Sequence, residues 1–526
     1  MLRKIRVTLA LIFWVSITWL LVDFTGTAHV YLGWMAKIQL MPALLSLNVA
    51  VLLLLTVLTL LLGRIYCSVI CPLGVMQDAI AWFNRKKNKY SYSPAHDIMR
   101  PLFVLGAGVA LSAGLGWLAG LIFPYSTYGR IVGSMVAPLY KMGNNVLASI
   151  AEHYDSYAFY SVDVWMKSAA TLGISLVLWC IIAVLAWRGG RTWCNTVCPV
   201  GTLLGMLSKH ARLKVVMDAN ACKNCRKCER NCKSACIDLS RHEIDYSRCV
   251  VCGDCLEECK FGALAFGYKP MIDKENILYA RKQKAAETAE TTAETQAEKV
   301  DDGRRAVLTS AALLAGTALA HAQDKTTDGG FAIIEDKQKP KRKHKITPPG
   351  SVSVRNLSEH CTACQLCIDS CPNDVLRPNS SLKNFMQPEV SYERGYCRPE
   401  CNRCSQVCPT GAILPITVEE RSSTQVGHAV WVRENCIPAN EDKPCGNCAR
   451  HCPTGAIQML PDGNYHQGDH GRWFDAQNQP VDWQSLHFIP VVNEEKCIGC
   501  GACEYVCPSR PFSAIYVEGH EVQKEI

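Results

Sequence analysis

The sequence predicts an α-helical membrane domain of four transmembrane helices, built as a duplicated hairpin, followed by small α+β domains of the ferredoxin-like, cluster-carrying kind. Three observations carry this. Four apolar stretches of membrane-spanning composition lie before residue 190, 24 of the 30 cysteines fall into six metal-ligand spacings, and one eleven-residue element occurs twice. At 526 residues the chain has room for about three domains, and no single core accounts for 30 cysteines. Disulfide-rich secreted proteins are usually small, so these thiols read as reduced ligands. The formal charge of +8 sits in blocks beside apolar segments, a mark of membrane topology. No basic run is interleaved with aromatics, so no nucleic-acid partner is expected.

Residues 1–215 form the expected membrane domain. Arg3, Lys4 and Arg6 precede the first apolar run, 7–22. The second, 41–62, carries no charge. The third, 102–123, is rich in Gly and Ala, which suits close helix packing in lipid, and the fourth is 169–187. Arg64, Arg85, Lys86, Lys87, Lys89 and Arg100 follow the second span, and Arg188, Arg191, Lys209, Arg212 and Lys214 follow the fourth. Cytoplasmic loops carry such an excess. The expectation is a multi-pass protein of a bacterial inner membrane, with the N-terminus and the segment after residue 187 in the cytoplasm.

The repeated element reads RIYCSVICPLG from Arg64 to Gly74 and RTWCNTVCPVG from Arg191 to Gly201, with five of eleven positions identical. It relates four thiols: Cys67, Cys71, Cys194 and Cys198. Positions i and i+4 of a helical turn face one way, and Pro72 and Pro199 disturb any continuing helix. These thiols are candidates for a further metal or cluster, or for a redox role; the bland alternative is small packing residues beside a proline turn. Cys180, in mid-span, reads as a packing residue.

Residues 216–268 carry two runs of C-x2-C-x2-C-x3-C, namely Cys222, Cys225, Cys228, Cys232 and Cys249, Cys252, Cys255, Cys259. Three thiolates on one tight loop take three irons of a [4Fe–4S] cube, and the fourth cysteine reaches to the partner cluster. A zinc ribbon needs only pairs of C-x2-C. The spacing therefore groups Cys222, Cys225 and Cys228 with Cys259, and Cys249, Cys252 and Cys255 with Cys232. Cys236 lies close behind Cys232, and neither precedes the usual proline, so either is eligible as the fourth ligand.

Residues 269–303 are an Ala/Glu/Thr linker in which Glu287, Glu290, Glu294 and Glu298 share a helical face without an apolar stripe. Within 304–322, Arg304 and Arg305 precede a 15-residue mild apolar run, the pattern of a twin-arginine export signal or of a short fifth span. A basic linker follows over 323–350, with six Lys or Arg between Lys337 and Lys345. Residues 351–526 hold four more motifs, each ending in Cys-Pro: Cys361, Cys364, Cys367, Cys371; Cys397, Cys401, Cys404, Cys408; Cys436, Cys445, Cys448, Cys452; and Cys497, Cys500, Cys503, Cys507. The first gap is widened in the second and third of these, at Cys397 and Cys436. Together the motifs predict six [4Fe–4S] clusters. His360 and His451 read as incidental polar neighbours, since Rieske chemistry replaces two cysteines by two histidines.

No G-x-G-x-x-G follows a strand, no C-x-x-C-H is present, and no HExxH helix appears, so nicotinamide, covalent haem and zinc hydrolysis are not expected. Electron transfer remains. Residues 1–268, with four spans, two CxxxCP elements and a two-cluster module, resemble the NapH-type membrane quinol dehydrogenase family. Residues 303–526 resemble NapG-type four-cluster ferredoxins with a twin-arginine signal; both joined in one chain is a departure. The resemblance implies menaquinol as substrate, drawn from the membrane quinone pool, and an oxidoreductase subunit of anaerobic respiration. It also implies a cytoplasmic first module, a periplasmic C-terminal domain and a soluble terminal reductase as partner, with the CxxxCP thiols between quinol and the first cubes. By analogy with other four-cluster ferredoxins, the first C-terminal motif exchanges its fourth cysteine with the fourth motif, and the second with the third. Alternatives are ferredoxin:quinone electron transfer wholly on the cytoplasmic side, or an accessory role in metalloenzyme maturation. The quinone site is not legible. His29, Lys37, Asp78, His96 and Tyr125 are candidates by location near span ends, where interfacial anchoring is the plainer reading.

Overall fold

The computed structural model describes residues 2–84, 90–268, 337–441, 443–468 and 472–526. The Ala/Glu/Thr linker, the twin-arginine-like segment and the first part of the basic linker lie outside the described residues.

Among the described residues two helices are long and apolar enough to cross a bilayer, Leu2–Val22 and Ala169–Gly189, with 21 residues each. At 1.5 Å per residue each is about 31 Å long, the thickness of the hydrocarbon layer. The second and third expected spans are not continuous. The run 41–62 breaks at Leu47, whose φ is +52°, and restarts where the Asn48 side chain accepts from the Val51 amide to cap Val49–Leu62. The run 102–123 breaks at Gly114, φ +73°, between Met99–Ser112 and Gly116–Gly120. The remaining 14-residue helices reach only about 21 Å each. Hydropathy registers the unbroken apolar composition and is blind to both turns. Large apolar side chains on these helices face outward, among them Leu53, Leu54, Val57, Leu102, Leu105, Val109, Val177, Ile181 and Val184. So wide an exposed apolar surface fits membrane association.

The two repeat copies interlock. Helix Pro72–Phe83, which follows the first CxxxCP, packs on Ala169–Gly189 of the second copy, and Pro199–Ser208 packs on Val49–Leu62 of the first.

Each cysteine-rich module is built from short helices and small antiparallel sheets. In the first, Lys214–Met217 pairs with Leu264–Gly267 and Ile237–Asp238 with Glu243–Ile244. In the C-terminal domain Leu376–Pro378 pairs with Pro388–Val390, Thr424–Trp431 with Ile515–Glu525, and Ile457–Pro461 with Phe488–Val492. The modules cap opposite ends of the first long helix. At its start Arg3 pairs with Asp254 at 2.9 Å and with Glu257. Past its end, the carbonyls of Phe24 and Thr25 accept from Arg403 at 3.2 Å each.

The C-terminal domain is docked firmly on the helices. All eight residues of Pro124–Ile131 are buried. Ser126 Oγ donates to Thr362 Oγ1 at 2.8 Å, Arg130 Nη1 donates to the Ala363 carbonyl at 3.2 Å, and Lys167 pairs with Asp369 at 2.8 Å. Gly120 presses on this loop so closely that a Cβ there would collide with the Thr362 carbonyl oxygen. At this position the glycine of the third apolar run therefore serves contact with the cluster domain, not with another helix in lipid. The stretch from Lys337 onward is docked as well. Arg342 pairs with the buried Glu504 at 2.5 Å and donates to the Val517 carbonyl at 2.8 Å, and the Gln338 amide donates to the Pro511 carbonyl at 2.9 Å. The described part of the expected basic linker is thus a strap on the domain.

Candidate functional site: the cysteine cages and the thiol repeat

In the first module, Cys222, Cys225, Cys228 and Cys259 line one cavity of about 20 Å³. A second cavity of about 20 Å³ is lined by Cys249, Cys252 and Cys255 together with both Cys232 and Cys236. The Cys232 and Cys236 sulfurs are 3.5 Å apart. With Cys236 donating, the Cys232 thiol is drawn down to about 7 despite its burial.

In the C-terminal domain Cys397, Cys401 and Cys404 share a cavity of about 20 Å³ with Cys371. Cys436, Cys445 and Cys448 share one of about 30 Å³ with Cys507. Burial raises the thiols of Cys361, Cys364 and Cys367, and proximity to Cys408 raises them further. Burial raises Cys497 and Cys500 likewise, with Cys452 adding to it. The exchange is therefore between the first and second motifs, and between the third and fourth. This corrects the first-with-fourth, second-with-third grouping that the resemblance implies. The reason is local: the hairpin Leu376–Pro378/Pro388–Val390 folds the second motif back on the first, and Ile457–Pro461/Phe488–Val492 does so for the fourth and third. The widened gap after Cys436 holds the short helix Ile437–Asn440, and Cys436 still lines the cavity. Cys397 receives a hydrogen bond from the buried Arg421 Nη2 at 3.3 Å.

These cages fit clusters. Each cavity is ringed by three thiols of one motif with at least one from another, the donor set of a cube. Burial pushes Cys228 and Cys371 up to about 11 and Cys364 to about 12, so those thiols keep their protons at neutral pH until a cation displaces them. Among the described residues no group of three or more His, Cys, Asp or Glu is arranged around a single metal ion. A cube binds its cysteines to separate irons, which spreads them wider. A bound [4Fe–4S] group supplies one-electron transfer, and the protein supplies position and potential.

The thiol repeat lies against the first module. Cys67 and Cys194 sit in the short helices Ile65–Val69 and Thr192–Thr196, while Cys71 and Cys198 are the N-caps of Pro72–Phe83 and Pro199–Ser208. All four are buried, and burial raises Cys71 and Cys198, with neighbouring thiols adding to it. The identical arginine, glycine and proline of the repeat each have a visible task. Arg64 crosses to the second copy, donating to Asn195 Oδ1 at 2.9 Å and also to the Ser247 carbonyl of the first module at 2.9 Å. Arg191 crosses the other way, donating to the Cys67 carbonyl at 2.6 Å. Gly74 and Gly201 leave room for these guanidinium groups, and each proline opens its helix at a position that needs no amide donor. Gln77 Nε2 donates to Cys194 Sγ at 3.2 Å.

The location-based quinone candidates separate clearly. Asp78 is committed to three cations, Arg6 at 2.9 Å, Arg191 at 2.8 Å and Lys233 at 3.7 Å. Lys37 and His96 are exposed. Burial lowers the His29 pKa. Tyr125 is fully buried, with its hydroxyl unpartnered, close to Cys364 and Cys408. Sequence reasoning passed over the buried Arg64, Arg130, Arg191 and Arg421. For Arg64 and Arg191 the signal was present, since they open the two repeat copies; Arg130 and Arg421 stand in no motif.

Comparison with known proteins agrees with this geometry. A family model described as a 4Fe-4S binding domain matches residues 46–90 and 171–216, which are the two copies of the thiol repeat. A 4Fe-4S dicluster domain matches residues 360–412 and 443–510, the two motif pairs that share cavities. Among curated proteins, the ferredoxin-type protein NapG of Escherichia coli strain K12 is 27% identical over 172 residues, 31% of this chain and 66% of that protein. NapH of the same organism, also named a ferredoxin-type protein, is 26% identical over 230 residues, covering 42% of this chain and 67% of that protein. The methylamine utilization ferredoxin-type protein MauM of Methylobacillus flagellatus is 28% identical over 169 residues, 31% of this chain and 63% of that protein. This chain is a relative of ferredoxin-type electron-transfer proteins. It spans 63–67% of the length of the relatives just named. No solved structure matches it.

Proposed function

We propose that this protein is a membrane-anchored polyferredoxin that carries electrons from menaquinol, through [4Fe–4S] clusters, to a soluble reductase on the periplasmic side. One observation carries the reading: the two sets of cysteine cages cap opposite ends of a 21-residue apolar helix, through Arg3 at one end and Arg403 at the other. The Lys and Arg excess accompanies the Arg3 end, which favours that end as cytoplasmic. Oxidation of menaquinol to menaquinone releases two electrons and two protons. Clusters held by the cysteine cages would take these electrons one at a time, and the protons go to water. A cluster domain with its motifs in two interlocked pairs, and without nucleotide or haem motifs, suits onward transfer to a partner protein. The related NapG and NapH proteins are named ferredoxin-type, which agrees with a conduit.

The test is topological and spectroscopic. A periplasm-active reporter fused after Ile526 is expected to be active, and the same reporter after Lys269 silent. Menaquinol is expected to bleach the cluster absorbance of the purified, anaerobic protein. A silent reporter at Ile526 would put both modules on the cytoplasmic side, and unbleached clusters would remove quinol as donor.

A further inference from the structure

Among the described residues the four largest fully buried side chains are arginines: Arg64, Arg130, Arg191 and Arg421. Arg191 is matched by the Asp78 carboxylate at 2.8 Å. Arg64 and Arg130, the other two that the helical part contributes, have no such partner. Arg64 donates to Asn195 Oδ1 and the Ser247 carbonyl at 2.9 Å each, to the Cys194 carbonyl at 3.4 Å and to Cys67 Sγ at 3.8 Å. Arg130 donates to the carbonyls of Gly120 at 2.7 Å, Ala363 at 3.2 Å and Thr362 at 3.4 Å, and to Thr127 Oγ1 at 3.3 Å. Every one of these partners is a neutral oxygen or a thiol. Arginine keeps its charge inside proteins, and a buried charge without a counter-charge is costly.

Both guanidinium groups are aimed at a cysteine loop, and the two contacts are built alike. Thr362 and Ala363 lie between Cys361 and Cys364. Three glycines bring the helical part down onto that loop. A Cβ at Gly116, Gly120 or Gly129 would collide with the carbonyl oxygen of Cys361, Thr362 or Cys364, respectively. At the other face, Ser247 stands two residues before Cys249, and a Cβ at Gly205 would collide with its carbonyl oxygen. Arg100, also buried, donates to the same carbonyl at 3.1 Å and to Ser247 Oγ at 3.0 Å. Val250, inside the Cys249–Cys252 loop, is buried in one core with Tyr66 and Trp193 of the repeat. Contacts this close exclude water, and a charge acts more strongly where water is excluded.

A neutral donor could bind these carbonyls as well, so the charge itself calls for a counter-ion. A cube on four thiolates is an anion and becomes more negative when it takes an electron, and nearby charge sets its potential. We propose that Arg64 and Arg130 are positioning residues that raise the potentials of the clusters in the Cys249 and Cys361 cages, so that these two, one at each face of the helical part, take electrons first. This rests on the reading that the cages hold [4Fe–4S] clusters. Each uptake adds one electron to a cluster and breaks no bond, and the arginine keeps its protons throughout.

The test is an EPR-monitored redox titration of the full-length, cluster-loaded protein. The couples lost in Cys252→Ala and Cys364→Ala identify the two clusters, and in the wild type they are expected to be the first reduced as the potential falls. Arg64→Gln and Arg130→Gln retain an amide donor but remove the charge. Each is expected to lower its own cluster's couple by at least a tenfold change in the oxidised-to-reduced ratio, about 59 mV for one electron, and to leave the other couple in place. Arg64→Lys and Arg130→Lys, which retain the charge, are expected to keep at least half of that difference. Couples unmoved by Gln, or lowered equally by Lys and Gln, would overturn the proposal and leave the arginines as braces for the loops. Should a Gln variant lose its cluster, the Lys variant decides: a couple near the wild-type value supports the charge, and one lowered tenfold overturns it. Wild-type protein without iron or cluster absorbance would overturn the cluster reading itself.

Discussion

At the scale of single residues, cysteine spacing announces the cages, and neighbouring side chains decide how each thiol behaves. Cys232 and Cys236 line the same cavity, yet only Cys232 is drawn toward its thiolate, by the hydrogen bond from Cys236. Metal ligands must be deprotonated, which favours Cys232 as the expected ligand, with Cys236 beside it as a donor. Replacing Cys232 by Ser is expected to abolish one cluster's paramagnetic signal, and Cys236→Ser to preserve it; the opposite result would move the ligand to Cys236. Arg421 acts on a cysteine within the C-terminal domain. Its buried guanidinium lies 3.3 Å from Cys397 Sγ and favours the more negative, reduced state of a cluster there. Arg421→Met is expected to lower that cluster's midpoint potential by on the order of 50 mV, the one-electron equivalent of about 1 kcal/mol, in an EPR redox titration. An unmoved potential would leave Arg421 a packing residue. The cysteines of both pairs were legible in sequence. Arg421 was not, because it stands 24 residues beyond Cys397 and only the folded chain brings them together.

At the scale of elements, the repeat was visible as identical letters, and folding shows why those letters recur. Each copy's arginine is spent on the other copy, and Asp78 binds the assembly by receiving Arg191, Arg6 and Lys233. Burial alone would raise the Asp78 pKa, but the three cations outweigh it and hold the carboxyl well below its usual range. A depressed pKa gives stability that is complete above the unfolded value of about 3.9 and disappears as pH falls through the lower folded value. Thermal stability due to this hub should accordingly be flat from pH 8 to 5 and decline below about pH 4. Asp78→Asn strands a fully buried Arg191 and is expected to cost about 3–5 kcal/mol at pH 7, read from detergent-phase unfolding. A loss under about 1 kcal/mol would show that the hub is dispensable. The broken second and third apolar runs were hidden from pattern reading because a single positive-φ residue, Leu47 or Gly114, leaves the hydropathy unchanged.

For the molecule as a whole, iron content is the simplest measure. Six motifs with four irons each predict about 24 iron atoms per chain in anaerobically purified protein. A content of about 28 would assign a seventh cube to the thiol repeat, over which a 4Fe-4S binding model also matches; about 16 would mean two motifs hold no cluster. The 4Fe-4S modules were readable from the sequence, since cysteine spacing is local. The pairing of the C-terminal motifs was not, because four equivalent motifs permit more than one exchange and only the intervening hairpins choose between them.

The capping of the first helix from both sides has a consequence for biosynthesis. Residues 24 and 25 are made well before their partner Arg403, which lies 379 and 378 positions further along the chain. Until the C-terminal domain has been made and filled with iron, Ser126 and Arg130 in the buried stretch Pro124–Ile131 lack their Thr362 and Ala363 partners. A cell short of iron would therefore accumulate an unfinished helical part whose docking face lacks its partners, a recognisable target for quality-control proteases. Pulse-chase labelling under iron limitation is expected to show the chain degraded as a unit, while iron added during the chase rescues it.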